Sequence, residues 1–381
     1  MKQNHFDYII IGQGLAGLKL ALSFKNDVFF KDKKIALIDK DSKRTNDKTW
    51  CFWETSTNSL EHLVSKKWSE AKVYGNKKCI KIALKPYNYK MIKSLDFYNY
   101  AKKTLKENSN FYFISENVFS TNNSTITVIT DKNRYTSNHI FDSRIPEEFH
   151  LKKENYINII QHFKGWVITT KTNHFNPDEI TMMDYRLKDG NKTSFMYVLP
   201  FSRTEALVEF TYFTDEVVSD KVYDKFLKKY ISEQLKITDY KIKETEKGQI
   251  PMSTFPFEDY STKNITKIGT AGGWVKGSTG YSFKHTEKKV SKILQNIKDN
   301  QLPSKGLINA KYKFYDKIFL KVLLDENNKG EWVFTNYYSK NNIKTMFRFL
   351  DEESTLLEDL KIMWSLFSFS FIKAFLKTLK V

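Results

Sequence analysis

The residues best suited to chemistry sit near the start of the chain. Gly12-Gln13-Gly14-Leu15-Ala16-Gly17 lies between an apolar run, residues 6–11, and a helical pattern over residues 15–24. Each glycine has its own task. Gly12 permits a tight turn, Gly14 lets backbone approach a pyrophosphate, and Gly17 lets helix and strand pack closely. The helix start, with Ala16 in it, offers N–H groups and the positive end of its dipole to phosphates. Asp39, with Lys40 beside it, closes a short buried strand, residues 35–38, about 20 residues further on, where a carboxylate can bind a ribose hydroxyl. The glycine pattern alone is weak; the strand–turn–helix–strand context makes it specific for a dinucleotide. The bland reading is a glycine-rich turn with Asp39 as a solvated strand end.

A second turn lies far along the chain. Ile268-Gly269-Thr270-Ala271-Gly272-Gly273 is followed by Gly277-Ser278-Thr279-Gly280-Tyr281 and a helix over about 284–298. FAD is long and must be gripped at both ends, so Gly269, Gly272, Gly273, Thr279 and Gly280 are candidates for its far end; an ordinary strand–loop–helix connection has the same look. A third feature is a lone acid in a strand. In Ala206-Leu207-Val208-Glu209-Phe210-Thr211-Tyr212, alternation puts Glu209 on one face with Leu207 and Thr211. Facing an apolar channel, its carboxyl would keep a proton near neutral pH through desolvation; facing solvent, it would be an ordinary strand glutamate. The pattern alone leaves both open.

These residues must be positioned by regular elements. An amphipathic helix is expected at 94–108, and strands at 111–114, 125–130 and 139–142. Successive sheet strands are expected at 157–169 and 179–213, with a turn at Lys188-Asp189-Gly190-Asn191, then a helix at 219–236. Pro303 marks a break, and the tail from 307 reads as largely helical. The expected class is α/β. A Rossmann-type FAD-binding domain takes residues 1–55, 86–150 and 248–300; an inserted β-sheet substrate domain takes 56–85 and 151–247; a helical region closes the chain at 301–381.

Composition narrows the partners. The net charge is +18, carried almost wholly by lysine, since arginine occurs only at 44, 134, 144, 186, 203 and 348. No basic run with interleaved aromatics forms a nucleic-acid module, so no nucleic-acid partner is expected. Two cysteines, Cys51 and Cys79, are too few for a disulfide framework or a zinc site, so no metal and a reducing cytoplasmic setting are expected. No apolar run is long enough to span a bilayer.

At this level the chain resembles the lycopene cyclases. Asp47-Lys48-Thr49-Trp50-Cys51-Phe52-Trp53, Phe141-Asp142-Ser143-Arg144, Gln161-His162-Phe163-Lys164-Gly165-Trp166 and Met183-Asp184-Tyr185-Arg186 are similar to segments of that family. So are Tyr197-Val198-Leu199-Pro200-Phe201-Ser202, Thr204-Glu205-Ala206-Leu207-Val208-Glu209, Gly248-Gln249-Ile250-Pro251-Met252 and the turn at Gly269–Gly273. They run in order from residue 6 to about 285. One departs: glycine stands at 277 where the family pattern has proline.

The resemblance implies reduced FAD, with NAD(P)H as reductant, in a reaction without net oxidation. A terminal double bond of lycopene is protonated, the cation is attacked by an internal double bond, and proton loss gives a β-type ring by way of a monocyclic intermediate. It makes Glu209 the acid and base. It suggests Trp50, Phe52, Trp53, Trp166 and Trp274 as channel aromatics beside the cation, against a core-packing role for each. Asp184 and Arg186 are expected as a supporting ion pair, Asp142 and Arg144 as a tie at a strand end, and His162 as a core residue. A related flavin reductase or hydroxylase, or a basic membrane-surface nucleotide-binding protein without catalysis, are the competing readings. Lycopene dissolves in lipid, so an anionic membrane surface is an expected partner. A helix over 363–380 would carry the stripe Trp364, Phe367, Phe371, Phe375 and Leu379, flanked by Lys373, Lys377 and Lys380.

Overall fold

The computed structural model describes residues 4–75, 78–151 and 155–379. The N-terminal run is β1 (His5–Ile11), which turns into α1 (Leu15–Asn26) and returns as β2 (Ile35–Ile38). All four β2 residues, Ile-Ala-Leu-Ile, are buried, as a central parallel strand covered on both faces requires. β1 pairs in parallel with β2 and with β11 (Arg134–Asp142), and β2 in parallel with β8 (Phe111–Ile114). The sheet is extended by antiparallel β10 (Thr127–Thr130) and β9 (Val118–Asn122), while β17 (Ile265–Lys267) joins β11 in parallel. α1, α2 (Ser94–Lys106) and α5 (Phe283–Lys298) supply helical residues to the core on one face. This is the expected Rossmann-type fold, and it sets the loops after β1 and β17 side by side.

A second seven-stranded sheet has the order β16-β12-β15-β14-β13-β5-β6. Its strands are β5 (Glu70–Tyr74), β6 (Cys79–Ala83), β12 (Asn158–Thr169), β13 (Glu179–Asp184), β14 (Ser194–Pro200), β15 (Glu205–Thr214) and β16 (Lys241–Ser253). α4 (Asp220–Glu233) covers one face through Tyr223, Leu227, Tyr230 and Ile231. The boundary expected between residues 247 and 248 falls inside β16. That strand pairs with β12 along its whole length, so pairing carries the sheet on to Ser253, past the Gly248 that reads as a turn in sequence. A small antiparallel sheet, β3 (Thr49–Glu54), β7 (Asn88–Lys93) and β4 (Val64–Trp68), is the third sheet.

The C-terminal region is helical, with α6 (Ala310–Asp325), α7 (Gly330–Lys340), α8 (Ile343–Leu350), α9 (Leu356–Ser365) and α10 (Phe369–Leu379). Their inner faces share one core with the second sheet. A single helix over 363–380 is not what forms. α9 begins at a Thr355–Glu358 capping box and ends at Leu366, and α10 starts at Phe369. The chain therefore turns where the apolar stripe would have continued. Lys380 lies outside the described residues.

Candidate functional site

The two glycine turns meet at the C-terminal edge of the parallel sheet. Gln13 N–H donates to Asp39 Oδ2 at 2.7 Å, and Asp41 N–H donates to Oδ1 at 2.9 Å, which fixes the carboxylate beside the first turn. Lys40 is exposed next to it. Gly12 has φ +100°, and a Cβ there would come 2.0 Å from Ser143 Oγ. A Cβ on Gly17 would come 2.1 Å from the Gly12 carbonyl oxygen. Gly14 differs, because a Cβ there meets nothing within 4 Å. Protein packing does not require a glycine at 14, whereas a pyrophosphate lying over the turn would.

The second turn completes this cradle. A Cβ on Gly269 would come 3.1 Å from that of Ala16, so the turn touches the start of α1. Gly272 lies against the Lys267 carbonyl, and Gly273 and Gly280 take φ +68° and +75°. Gln161 Oε1 and Thr279 Oγ1, which line the neighbouring cavity, are buried polar atoms without a protein hydrogen-bond partner. Such atoms cost about 1–3 kcal/mol each unless something satisfies them, and a flavin ring edge offers both donors and acceptors. The residues present thus fit FAD. Gly277 lies against α6, since a Cβ there would be 3.2 Å from the Asp316 side chain.

Beside this cradle is a cavity of about 370 Å³. Its floor is the face of the second sheet opposite α4. One row across that sheet reads Glu246, Gly165, Glu209, Tyr197, on β16, β12, β15 and β14. Gly165 is small for a reason visible in that row: its Cβ would lie 3.2 Å from Glu209 Cβ and 3.3 Å from Glu246 Cγ. The gap lets two carboxyls from strands that are not neighbours interact directly. Burial, then the adjacent Glu246, pushes the Glu209 carboxyl well above the usual carboxylate range. Thr211 Oγ1 donates to Glu209 Oε1 at 2.6 Å and acts the other way. Burial also raises Glu246, whose Oε2 accepts from Thr49 Oγ1 at 3.1 Å. A buried carboxyl beside a half-buried one disfavours ionising both, so the pair favours keeping a proton.

Much of the remaining lining of the cavity is aromatic or aliphatic, with Lys48, Gln161 and Lys247 among its polar residues. Phe163, Phe195 and Phe213 line it, together with a hydroxyl chain in which Tyr89 OH lies 2.9 Å from both Tyr197 OH and Tyr281 OH. Burial keeps all three phenols neutral, and it pushes the neighbouring Cys51 thiol up to about 12.

Of the aromatics singled out in sequence, only Trp50 reaches this cavity. Alternation along β3 accounts for Phe52, and the other three lie elsewhere in the packing. Thr49 and Cys51 face the cavity, whereas Phe52 stacks on Phe283 at 4.3 Å in the nucleotide-domain core. Trp53 stacks on Phe347 at 4.4 Å, and its Nε1–H donates to Asp351 at 3.0 Å. Trp166 packs on the α4 side of the sheet, opposite Glu209, and Trp274 is fully buried in the nucleotide-domain core. Asp184 and Arg186 pair, with Nε 3.0 Å from Oδ1. Tyr230 of α4 donates to the same Asp184 carboxylate at 2.8 Å, so this acid is held on the far side from the cavity. His162 is buried there too, stacked on Tyr212 at 4.9 Å, and burial lowers it to about 4. Asp142 accepts from Arg144 at 2.9 Å and Lys267 at 2.9 Å, tying β11 to β17.

The comparison that decides the family covers nearly the whole molecule: the family model described as lycopene cyclase protein matches residues 7–376. The chain belongs to the lycopene cyclase family. No curated protein matches this lycopene cyclase family member significantly in sequence. Its fold is shared with solved flavoproteins of low identity. A geranylgeranyl bacteriochlorophyll reductase-like protein from Thermoplasma acidophilum is 12% identical, with TM-score 0.62 over 97% of this chain and 98% of that one. A flavoprotein/dehydrogenase from Cytophaga hutchinsonii is 11% identical, with TM-score 0.61 over 94% and 99%. A halogenase solved in complex with FAD is 12% identical, with TM-score 0.55 over 91% and 78%.

Sequence reasoning missed Glu246, Tyr89 and the sheet-facing phenylalanines in this family member. Glu246 stands in Lys241-Ile242-Lys243-Glu244-Thr245-Glu246-Lys247, which reads as a charged surface strand, and most of it is exposed. A usable signal was Gly165 in the middle of an otherwise bulky strand, since an interior strand glycine often marks a close approach.

Proposed function

We propose that this protein is a lycopene β-cyclase that works with reduced FAD, and that NAD(P)H supplies the reduction. The observation that carries the reading is the Glu209–Glu246 pair, which favours keeping a proton against an aromatic cavity beside the glycine cradle. The glycines at 12, 14, 17, 269, 272, 273 and 280, with Asp39 and Thr279, would hold the cofactor. When bound, reduced flavin supplies an electron-rich ring that stabilises a nearby cation without net oxidation. Glu209 gives its proton to a terminal double bond of lycopene. The tertiary cation is attacked by the internal double bond, and the six-membered ring closes. A ring proton then returns to the carboxylate, leaving the acid as it began and the product an isomer of the substrate. The faces of Phe163, Phe195 and Phe213 offset the positive charge, and a dry cavity keeps water from trapping it. Each turnover gives one ring, so a monocyclic carotenoid precedes the bicyclic one.

The test is stoichiometry. Under anaerobic conditions the protein should be silent with oxidised flavin and active once the flavin is reduced, with many rings formed per reducing equivalent. One equivalent consumed per ring would point to a reductase instead.

The same reading includes docking on an anionic membrane surface. No helix among the described residues is long and apolar enough to cross a bilayer. α9 and α10 instead present an outward apolar face, on which Trp364 is 78% and Phe369 79% exposed, with Leu356, Leu357 and Leu376 also exposed. Lys361 and Lys373 are exposed on the same two helices, while Lys377 is engaged with Asp325 at 2.8 Å. Exposed apolar residues with basic neighbours suit an interfacial helix pair. The double substitution Trp364→Asp, Phe369→Asp should cut co-sedimentation with phosphatidylglycerol vesicles about tenfold or more while flavin content holds. Unchanged sedimentation would remove this face as the anchor.

A further inference from the structure

A second cavity, about 310 Å³, lies among α6–α10. Its walls are almost wholly apolar, from residues such as Ile318, Val333, Leu366 and Phe371. Two features give it a direction. At one end, Met363, Phe367, Ile372 and Phe375 line it and are also exposed, so it opens on the outward apolar face of α9 and α10. At the other end, Thr279, Phe334 and Tyr338 line both this cavity and the one holding Glu209. One threonine and two rings carried by α7 are common to the two linings, so the spaces meet at these side chains. Opening the way between the spaces needs these two buried rings to change rotamer and leaves the backbone of α7 in place.

We propose that this helical cavity is a passage for a linear apolar chain, threaded lengthwise from a lipid surface, with Phe334 and Tyr338 as the gate to the acid. The ligand class is a long, thin hydrocarbon without polar groups, such as a linear isoprenoid. A mostly apolar space leading to the cavity that holds Glu209 admits a rod, while a polar ligand would find few polar side chains in the outer one, Ser278, Thr279 and Asp316 among them. The proposal rests on the cyclase reading for the identity of its natural ligand, but the passage itself needs only an apolar rod.

Diphenylhexatriene, a rigid linear polyene that fluoresces when shielded from water, is a suitable probe for the holoprotein without membranes. Ile318→Trp on α6 and Ile372→Trp on α10 would each fill the cavity, and neither residue is fully buried, so a tryptophan is accommodated without rebuilding the core. Both substitutions add apolar surface. Binding to the outer face would therefore be strengthened, and only binding inside the cavity would be weakened. Saturable probe binding by the parent protein is expected, weakened at least tenfold in each variant with flavin content unchanged. Cyclisation of vesicle-borne lycopene should fall in the same order. Wild-type probe affinity in either correctly folded, flavin-loaded variant overturns the passage, and the two positions on separate helices guard against one variant failing to fold. The two readings fail differently. Variants that cyclise lycopene at the parent rate sink the passage and leave the cyclase. A parent that binds the probe, loses it in the variants and never cyclises lycopene sinks the cyclase and leaves the passage.

Discussion

Glu209→Gln is expected to lower the rate of ring formation by about 10²–10⁴-fold, the range typical of a lost general acid, with flavin still bound. Glutamine keeps the shape of the side chain and can still accept from Thr211, so the packing of β15 against β12 and β14 is undisturbed. What it removes is the proton that burial and Glu246 together hold in place. Near-normal turnover by this variant would end the acid role. Asp184 is not a replacement, since Arg186 and Tyr230 hold its carboxylate on the α4 side of the sheet. Glu246→Gln serves as the companion experiment. Its negative charge is one of the causes that raise Glu209, so its removal lowers the proton affinity of Glu209. The protonated acid is the active form, and it is lost as pH rises through its pKa. The alkaline limb of the pH profile of kcat should therefore move to lower pH in Glu246→Gln. A limb that stays in place would show that the two carboxyls act independently.

Gly14→Val is expected to leave a folded protein that has lost its flavin, with at least about a tenfold drop in cofactor bound per chain. The three glycines of the first turn look alike in sequence, yet they differ in what surrounds them. A side chain at Gly17 would collide with backbone at 2.1 Å, and one at Gly12 with Ser143 at 2.0 Å, so substitution there disturbs the fold itself. At Gly14 a side chain enters open space, so any loss must come from the ligand that is to lie there. Flavin absorbance per protein, read with a thermal unfolding curve, separates the cases. A Gly14→Val protein that unfolds like the parent and carries a full complement of flavin would show that the pyrophosphate does not cross this turn. Gly17→Val should instead lower the unfolding temperature whether or not flavin is supplied.

The nucleotide half was legible from local residue patterns alone. A buried strand, a glycine turn, a helix and a second strand ending in Asp39 are local signals, because turn geometry and strand burial depend on residues next to one another. Such patterns also placed Glu209 correctly on the face with Leu207 and Thr211, since a period of two is a property of a single strand. Features that needed the folded chain rest on register between strands far apart in sequence. β12 lies between β15 and β16, and that order makes Glu246 the neighbour of Glu209 across Gly165. No pattern within residues 241–247 contains that fact. The aromatic motif near residue 50 shows the same limit. Its residue types announce burial but not which of three cores receives each ring, and β3 sends Thr49 and Cys51 to the cavity while Phe52 and Trp53 pack elsewhere. The C-terminal helices were legible as helices, but the break between α9 and α10, and the cavity they enclose, depend on packing against α6–α8, of which α6 and α7 rest on the second sheet.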